Sequence, residues 1–305
     1  MNPKLQEKID KAIARLKAFC PPEGYYLAFS GGKDSIVCKQ LLIESGCKFD
    51  AHYRVTSVDP PELVRYIKEF HPDVEREVPR DKGGKPITMW NLIPKRLMPP
   101  TRLVRYCCEQ LKEGGGDGRM TVTGVRWAES ASRKNQQGQV TIPHPGKKLT
   151  AELEQSASFA GNGKGGVILV NDNEESRRMI EQCYKRHKTT VNPIIDWSDD
   201  EVWEYIRDRN LPYCELYDRG FTRLGCIGCP MARQKGRETE FRAWPKYKAA
   251  YLRAFDAMLK ERERRGKASN FCGNSAPTAV DVFNWWMQYD IMPGQIDISE
   301  IEEAE

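Results

Sequence analysis

The chain has 305 residues, 39% hydrophobic and 30% charged, with 48 basic against 43 acidic side chains and a formal charge of +5. That length suits one large α/β domain with an appendage or two domains, and no stretch approaches the ~18 uninterrupted apolar residues of a membrane span. Glu7 and Asp10 interrupt the apolar positions near the start, so no secretory signal is expected there and the protein reads as soluble and cytoplasmic, without a membrane partner.

In chain order, Leu5, Ile9, Ile13, Leu16 and Phe19 form one helical stripe. Residues 25–29 (YYLAF) read as a short buried strand that stops at Ser30-Gly31-Gly32, and helical periodicity runs over residues 33–43. A second strand is expected over 49–55, then a turn at Asp59-Pro60-Pro61 and a helix over 62–70 that starts beside prolines. Further strands are expected over 74–78 and 120–125. Strands alternating with helices imply parallel βαβ units, hence an α/β fold with a doubly wound, mostly parallel, Rossmann-like sheet. Residues 132–166, rich in Gly, Gln, Asn, Ser and Lys, have no sustained period and read as a long loop or insertion. A strand over 167–170 and a helix over 174–186 follow. Ser198-Asp199-Asp200-Glu201 is a capping-box sequence opening a helix through Val202, Tyr205 and Ile206. Residues 238–265 read as one helix with a kink at Pro245, and 278–288 as the last. The expected division is 1–235, containing the insertion, and a helical C-terminal region, 236–305.

Charge is unevenly spread. Residues 231–267 hold twelve Lys/Arg against five Asp/Glu, and residues 296–305 hold five acids and no base. On charge alone this is a solvated face, with a polyanion partner as the sharper alternative. Trp244, Tyr247 and Tyr251 lie among these bases and read as core packing in preference to stacking on nucleic-acid bases.

Two segments carry chemistry. A strand that ends in Gly31-Gly32 and opens directly into a helix presents backbone N–H groups at the helix N-terminus, a physical anion site to which Ser30, Lys33 and Ser35 add donors and charge. Its spacing is neither that of a Walker A loop nor that of the dinucleotide fingerprint. Among ten cysteines, Cys107-Cys108 and the CxxC of Cys226 and Cys229 look like a ligand set, because four thiolates from two segments fit Zn²⁺ or a [4Fe–4S] cluster. The others read mostly as small buried hydrophobes.

SGGKDS at residues 30–35 resembles the pyrophosphate loop of the adenine-nucleotide α-hydrolase superfamily, and the ordered motifs that follow resemble its phosphoadenosine phosphosulfate (PAPS) reductase branch. Val58-Asp59-Pro60-Pro61-Glu62 resembles the family's strand-end motif. Gly124-Val125-Arg126 with Glu129-Ser130 and Arg133 resembles its GxRxxES…R anion motif. Asn192–Trp197 with Val202-Trp203, Leu211-Pro212-Tyr213, 216–221 and Gly225–Pro230 complete the series over roughly residues 20–235.

The resemblance implies that residues 1–235 form a nucleotide-binding domain. Ser30, Gly31, Gly32, Lys33, Asp34, Ser35, Asp59 and Gly124 would bind ATP, and Lys33, Asp34, Arg126 and Arg133 would act in catalysis. Arg126 and Arg133 would balance charge at the α-phosphate or acceptor, while Asp34 would either position Mg²⁺ or order the loop. Asp59 stays open between nucleotide contact and turn residue. The family's CC…CxxC arrangement favours a [4Fe–4S] cluster on Cys107, Cys108, Cys226 and Cys229, with Zn²⁺ as the alternative; Arg105 and Arg223 flank it. The reductases' nucleophilic cysteine motif does not occur, and Cys272 is the only cysteine after Cys229. Members with a full SGGKDS loop are generally ATP pyrophosphatases, so the expectation is an ATP-dependent sulfurtransferase similar to DNA phosphorothioation proteins or some tRNA thiolases. A nucleic-acid acceptor, a sulfur donor such as a cysteine desulfurase and a homo-oligomer belong to that reading. The alternatives are a sulfonucleotide reductase that releases sulfite and a nucleotide-binding regulatory subunit.

Overall fold

The computed structural model describes residues 2–269 and 276–287. These form two compact units that interleave along the chain. The first takes the residues up to Arg54, Pro61–Glu77 and Gly114–Leu224; the second takes Val55–Pro60, Val78–Glu113 and the described residues from Gly225 on.

The first unit contains an eight-stranded sheet. Its strands are β1 (Tyr25–Ala28), β2 (Phe49–Arg54), β3 (Glu75–Glu77), β4 (Met120–Val122), β5 (Val140–Ile142), β6 (Phe159–Gly161), β7 (Val167–Leu169) and β8 (Thr189–Val191), in the order β3-β2-β1-β4-β8-β5-β7-β6. From β3 to β8 every pairing is parallel. The order runs outward from β1 through β2 to β3 on one side and through β4 to β8 on the other. The chain therefore reverses direction between β1 and β4, which is the topological switch point of a doubly wound sheet. Tyr25, Leu27 and Val122 are fully buried, as central parallel strands require.

One expectation for this unit needs correction. Residues 132–166 are not an irregular loop: they contain helices Ala131–Gln136 and Lys147–Glu154 and strands β5 and β6. β5, β7 and β6 pair antiparallel and extend the sheet beyond β8. Three-residue strands are too short to show a period of two, and the glycines around them mask what alternation there is. β8 itself also escapes a periodicity reading for the same reason. The mostly parallel sheet is thus mixed at one end.

Helix Asp199–Asp208 begins where the sequence indicates. The Ser198 side chain accepts from the Glu201 N–H at 3.2 Å, and the Glu201 carboxylate accepts from the Ser198 N–H at 2.7 Å. Both bonds satisfy amides that a helix start leaves open.

The second unit is helical. Its core gathers Phe241, Tyr251, Phe255, Met258, Phe283 and Trp286. Arg237 is fully buried there, its guanidinium 4.0 Å over the Trp286 ring and donating to the Trp286 carbonyl at 2.8 Å. One of the twelve bases of the cationic stretch is therefore a core residue. Residues 238–265 are not one helix but two, Gln234–Ala243 and Pro245–Arg264, separated at Trp244. Proline drives the residue before it out of helical geometry and then serves as a helix start. Tyr251 is buried and Trp244 and Tyr247 pack against the same cluster, which bears out the core reading of these aromatics. The last helix is Ala279–Met287. Cys272 and the acidic residues 296–305 lie outside the described residues.

Replacing Ser198 by Ala is expected to destabilise the first unit by about 1 kcal/mol, the ordinary cost of losing an N-cap, read as a lower urea midpoint at unchanged slope.

Candidate functional site

β1 delivers the chain to the anion corner. Gly31 has φ +73°, and a Cβ there would fall 2.7 Å from Ile67 and 2.8 Å from Leu63 of helix Pro61–Phe70, so both backbone and packing demand glycine. Gly32 is the N-cap of helix Lys33–Ser45 and provides no side-chain cap. The corner is held by its own hydroxyls: Ser35 Oγ donates to the Gly32 carbonyl at 2.8 Å, and the Ser30 and Ser35 oxygens are 3.3 Å apart. The Lys33 N–H donates to the hydroxyl of Tyr217 at 2.9 Å, and the Gly32 N–H meets Ser30 Oγ at 3.4 Å. These neutral acceptors occupy the amides that an anion would take.

Behind the loop sits a charge quartet. Arg126, just beyond the end of β4, is 2% exposed. Its Nε donates to Asp34 at 2.7 Å, one terminal nitrogen to Asp199 at 2.6 Å, and the other to the Trp197 carbonyl at 3.3 Å. Lys33 Nζ lies 3.4 Å from Asp34 and 3.3 Å from Asp199. Burial opposes ionisation of Asp199, but the Arg126 hydrogen bond and the Lys33 and Arg126 charges outweigh it and hold the carboxyl below its ordinary value. Gly124 makes the approach possible, since a Cβ there would be 2.9 Å from the backbone of Asp34. Glu129 ties the second motif together, accepting from the Arg126 N–H at 2.9 Å and pairing with Arg133 at 3.2 Å. The structure thus assembles Ser30–Ser35, Gly124 and Arg126, with Arg133 joined through Glu129.

Asp199 and Tyr217 were not singled out as site residues by sequence reasoning. Asp199 hides in a capping box, where an acid at a helix start needs no further explanation. Tyr217 stands in the resembling 216–221 motif without a role assigned to it.

Asp59 falls in the second unit, with the cysteines. Its carboxylate accepts from the Thr56 N–H at 3.4 Å and lies 3.9 Å from Cys226 Sγ, while Tyr247 donates to its carbonyl at 2.9 Å. Cys107 and Cys108 open helix Tyr106–Leu111, and Arg105 donates to Cys108 Sγ at 3.2 Å. Cys226 and Cys229 flank Gly228, whose φ is +70° and whose missing Cβ leaves room for Phe241. Neighbouring thiols shift Cys107, Cys108 and Cys226. A hydrogen bond with Cys108, burial and the charges of Cys108, Cys226 and Cys229 push Cys107 well up, whereas the same bond and Arg105 lower Cys108 to about 6. Burial first, then neighbouring Asp59 and Cys229, push Cys226 up to about 12 against the opposing charge of Lys112. The Lys112 ammonium is in turn raised, chiefly by Cys226. Thiols with cations nearby are the donor chemistry of a sulfur-ligated group. Among the described residues, no group of three or more His, Cys, Asp or Glu side chains is placed to hold a metal ion.

A strand–Gly-Gly–helix corner at the switch point of a doubly wound sheet, backed by paired arginine and lysine, defines a nucleotide-binding α/β protein. Residues 24–232 match the phosphoadenosine phosphosulfate reductase domain, and the chain belongs to that family. Among curated relatives, an uncharacterized protein of Methanocaldococcus jannaschii is 26% identical over 238 residues, covering 75% of this chain and 47% of that protein. An adenosine 5'-phosphosulfate reductase of Oceanobacillus iheyensis is 59% identical over 39 residues, 13% of this chain and 16% of the reductase. The chain thus spans less than half the length of these relatives. Among solved structures, a phosphate complex of PAPS reductase from Candida auris is 14% identical with a TM-score of 0.39, covering 74% of this chain and 96% of that one.

Two outcomes follow for this site. Gly124→Ala should cost about 1–3 kcal/mol of stability through overpacking against Asp34, seen as a lower thermal midpoint. The Asp199 carboxyl, depressed in the native state, stabilises above the ordinary carboxyl value near ~3.9 and loses that contribution as pH falls through its lower native value. Asp199→Asn should therefore flatten the acid limb of a melting-temperature profile.

Proposed function

We propose that the protein is an ATP-dependent sulfurtransferase of the ATP-pyrophosphatase type that activates a nucleic-acid acceptor and takes sulfur from a donor such as a cysteine desulfurase. The observation that carries this reading is the Ser30–Ser35 corner, where a glycine-started helix has its first amides on neutral hydroxyls that an anion can displace, with Lys33 in its first turn. An acceptor oxygen attacks the α-phosphorus of ATP bound with Mg²⁺; a new P–O bond forms, the α–β bond breaks, and pyrophosphate leaves with the electron pair. The terminal sulfur of a donor persulfide then attacks the activated atom: a bond to sulfur forms, the bond to the adenylate oxygen breaks and AMP leaves. A second thiol cleaves the remaining S–S bond, ending in a disulfide with the donor cysteine.

The chain's own residues have distinct tasks. The amides of Gly31, Gly32 and Lys33 and the hydroxyls of Ser30 and Ser35 hold the departing pyrophosphate, and Lys33 neutralises it. Asp34 is fixed by Arg126, which suits loop ordering and orientation toward Mg²⁺. Arg133, 37% exposed at its side chain, is available to the α-phosphate or acceptor. Cys107, Cys108, Cys226 and Cys229 would hold a [4Fe–4S] cluster, with Zn²⁺ as the alternative, and a bound cluster would supply sulfur-holding or electron-relay chemistry. Arg242, Lys246, Lys248 and Arg253 are exposed on the two C-terminal helices and support a polyanionic acceptor. A cytoplasmic setting and self-association belong to the same proposal. A second reading, sulfonucleotide reduction, is favoured by the similarity to the adenosine 5'-phosphosulfate reductase of Oceanobacillus iheyensis.

Pyrophosphate release from ATP, with acceptor and sulfur donor present, should fall about 100-fold in Lys33→Met. Sulfite release from adenylylsulfate with thioredoxin, without any ATP turnover, would sink the proposal in favour of the reductase. Anaerobic material should be brown and hold iron and sulfide that Cys226→Ser removes; colourless protein with stoichiometric zinc would reverse the cluster assignment.

A further inference from the structure

The charge quartet of the first unit is internally neutral, although the corner in front of it is built for an anion. Lys33 and Arg126 are each shared between the same two carboxylates, Asp34 and Asp199. Three of the four are largely enclosed, with side-chain exposures of 7% for Lys33, 3% for Arg126 and 25% for Asp34. Asp199 is 58% exposed. It is also the member that comes from elsewhere, entering from the first turn of helix Asp199–Asp208, whereas Lys33 and Asp34 belong to the loop's own helix. Arg126 is 2% exposed and has its other two nitrogens engaged by Asp34 and the Trp197 carbonyl, so Lys33, on its flexible stem in the loop's own helix, is the cation to turn toward a ligand. To do so it must give up its contact with Asp199.

We propose that Asp199 is the positioning residue that sets the anion affinity of the Ser30–Ser35 corner: it holds the Lys33 ammonium and competes with a ligand phosphate for it. This rests on the nucleotide reading of that corner and names the residue that tunes it. The arrangement trades binding for stability. The Asp199 carboxylate repels an incoming polyanion and withholds part of its counter-charge, yet gives two buried cations the second carboxylate that balances them. Bare anions of low charge gain little by displacing Asp199; a polyphosphate with several negative oxygens gains more. Asp199 thereby favours the more highly charged ligand.

The test is titration of the full chain with inorganic pyrophosphate by calorimetry, for the wild type, Asp199→Asn and Asp199→Glu, alongside thermal melts. Removing one negative charge from the quartet should tighten pyrophosphate binding about 3- to 10-fold in Asp199→Asn, an effect that shrinks with added salt. The same variant should melt at a lower temperature. Asp199→Glu, which keeps the charge, should bind within about twofold of the wild type. Tighter binding in a less stable protein is a combination that a merely structural role does not produce. Unchanged or weaker binding in Asp199→Asn, or equal tightening in Asp199→Glu, would overturn the inference while leaving the nucleotide reading intact. If neither wild type nor variant takes up pyrophosphate, the nucleotide reading fails and the inference with it.

Discussion

The first unit depends on a guanidinium that has no water to turn to. Arg126, 2% exposed, is tolerable only because two carboxylates and a carbonyl take its donors; removing one partner of such a buried pair typically costs ~3–5 kcal/mol. Its partners come from the helix after β1 and the helix after β8, and Arg126 itself follows β4. One side chain thus ties the carboxyl-end connections of three parallel strands together. The phosphate corner inherits its shape from that tie, because Asp34 is at once the second residue of the loop's helix and the first partner of Arg126. Gly124 belongs to the same constraint: only a residue without a Cβ lets the β4 end lie against Asp34.

The second unit solves a different problem. Two cysteine pairs stand at the start of helix Tyr106–Leu111 and across the Gly228 turn, and neighbouring thiols shift Cys107, Cys108 and Cys226. Packing and polar contacts fix that turn from several sides. The Gly228 N–H donates to Glu240 at 2.7 Å, Tyr251 donates to the Ile227 carbonyl at 3.0 Å, and the Ile227 N–H donates to the Val58 carbonyl at 2.8 Å. The aromatic core therefore does more than stabilise helices: Phe241 and Tyr251 define where the CxxC backbone can run. The cations Arg105 and Lys112 offset negative charge that would otherwise accumulate on the thiols.

Much of the parallel half of the sheet is legible from local pattern. YYLAF before Gly-Gly, the proline-started helix and the capping box at Ser198 each carry a local cause, and each appears within a residue or two of its expected limits. Pattern fails where elements are shortest. β5, β6 and β8 have three residues apiece, so their existence depends on a neighbouring strand to pair with rather than on any period of their own. The break at Trp244 was visible as Pro245 but read as a kink; the side chains on either side continue one apolar stripe, and only the backbone shows that the helix ends.

By itself the sequence determined the chemistry on offer: a glycine corner with serines and lysine, motif arginines, and two cysteine pairs in a familiar order. Local rules suffice for that, since glycine conformation, capping and thiol spacing act over a few residues. Tertiary structure alone decided which charges meet. It joined Asp199 to Lys33 and Arg126 across 166 and 73 positions of chain, set Tyr217 on the Lys33 amide, and placed Asp59 beside Cys226. Such pairings are chosen by strand order and burial, because a charge withdrawn from water takes whatever partner the fold brings within reach.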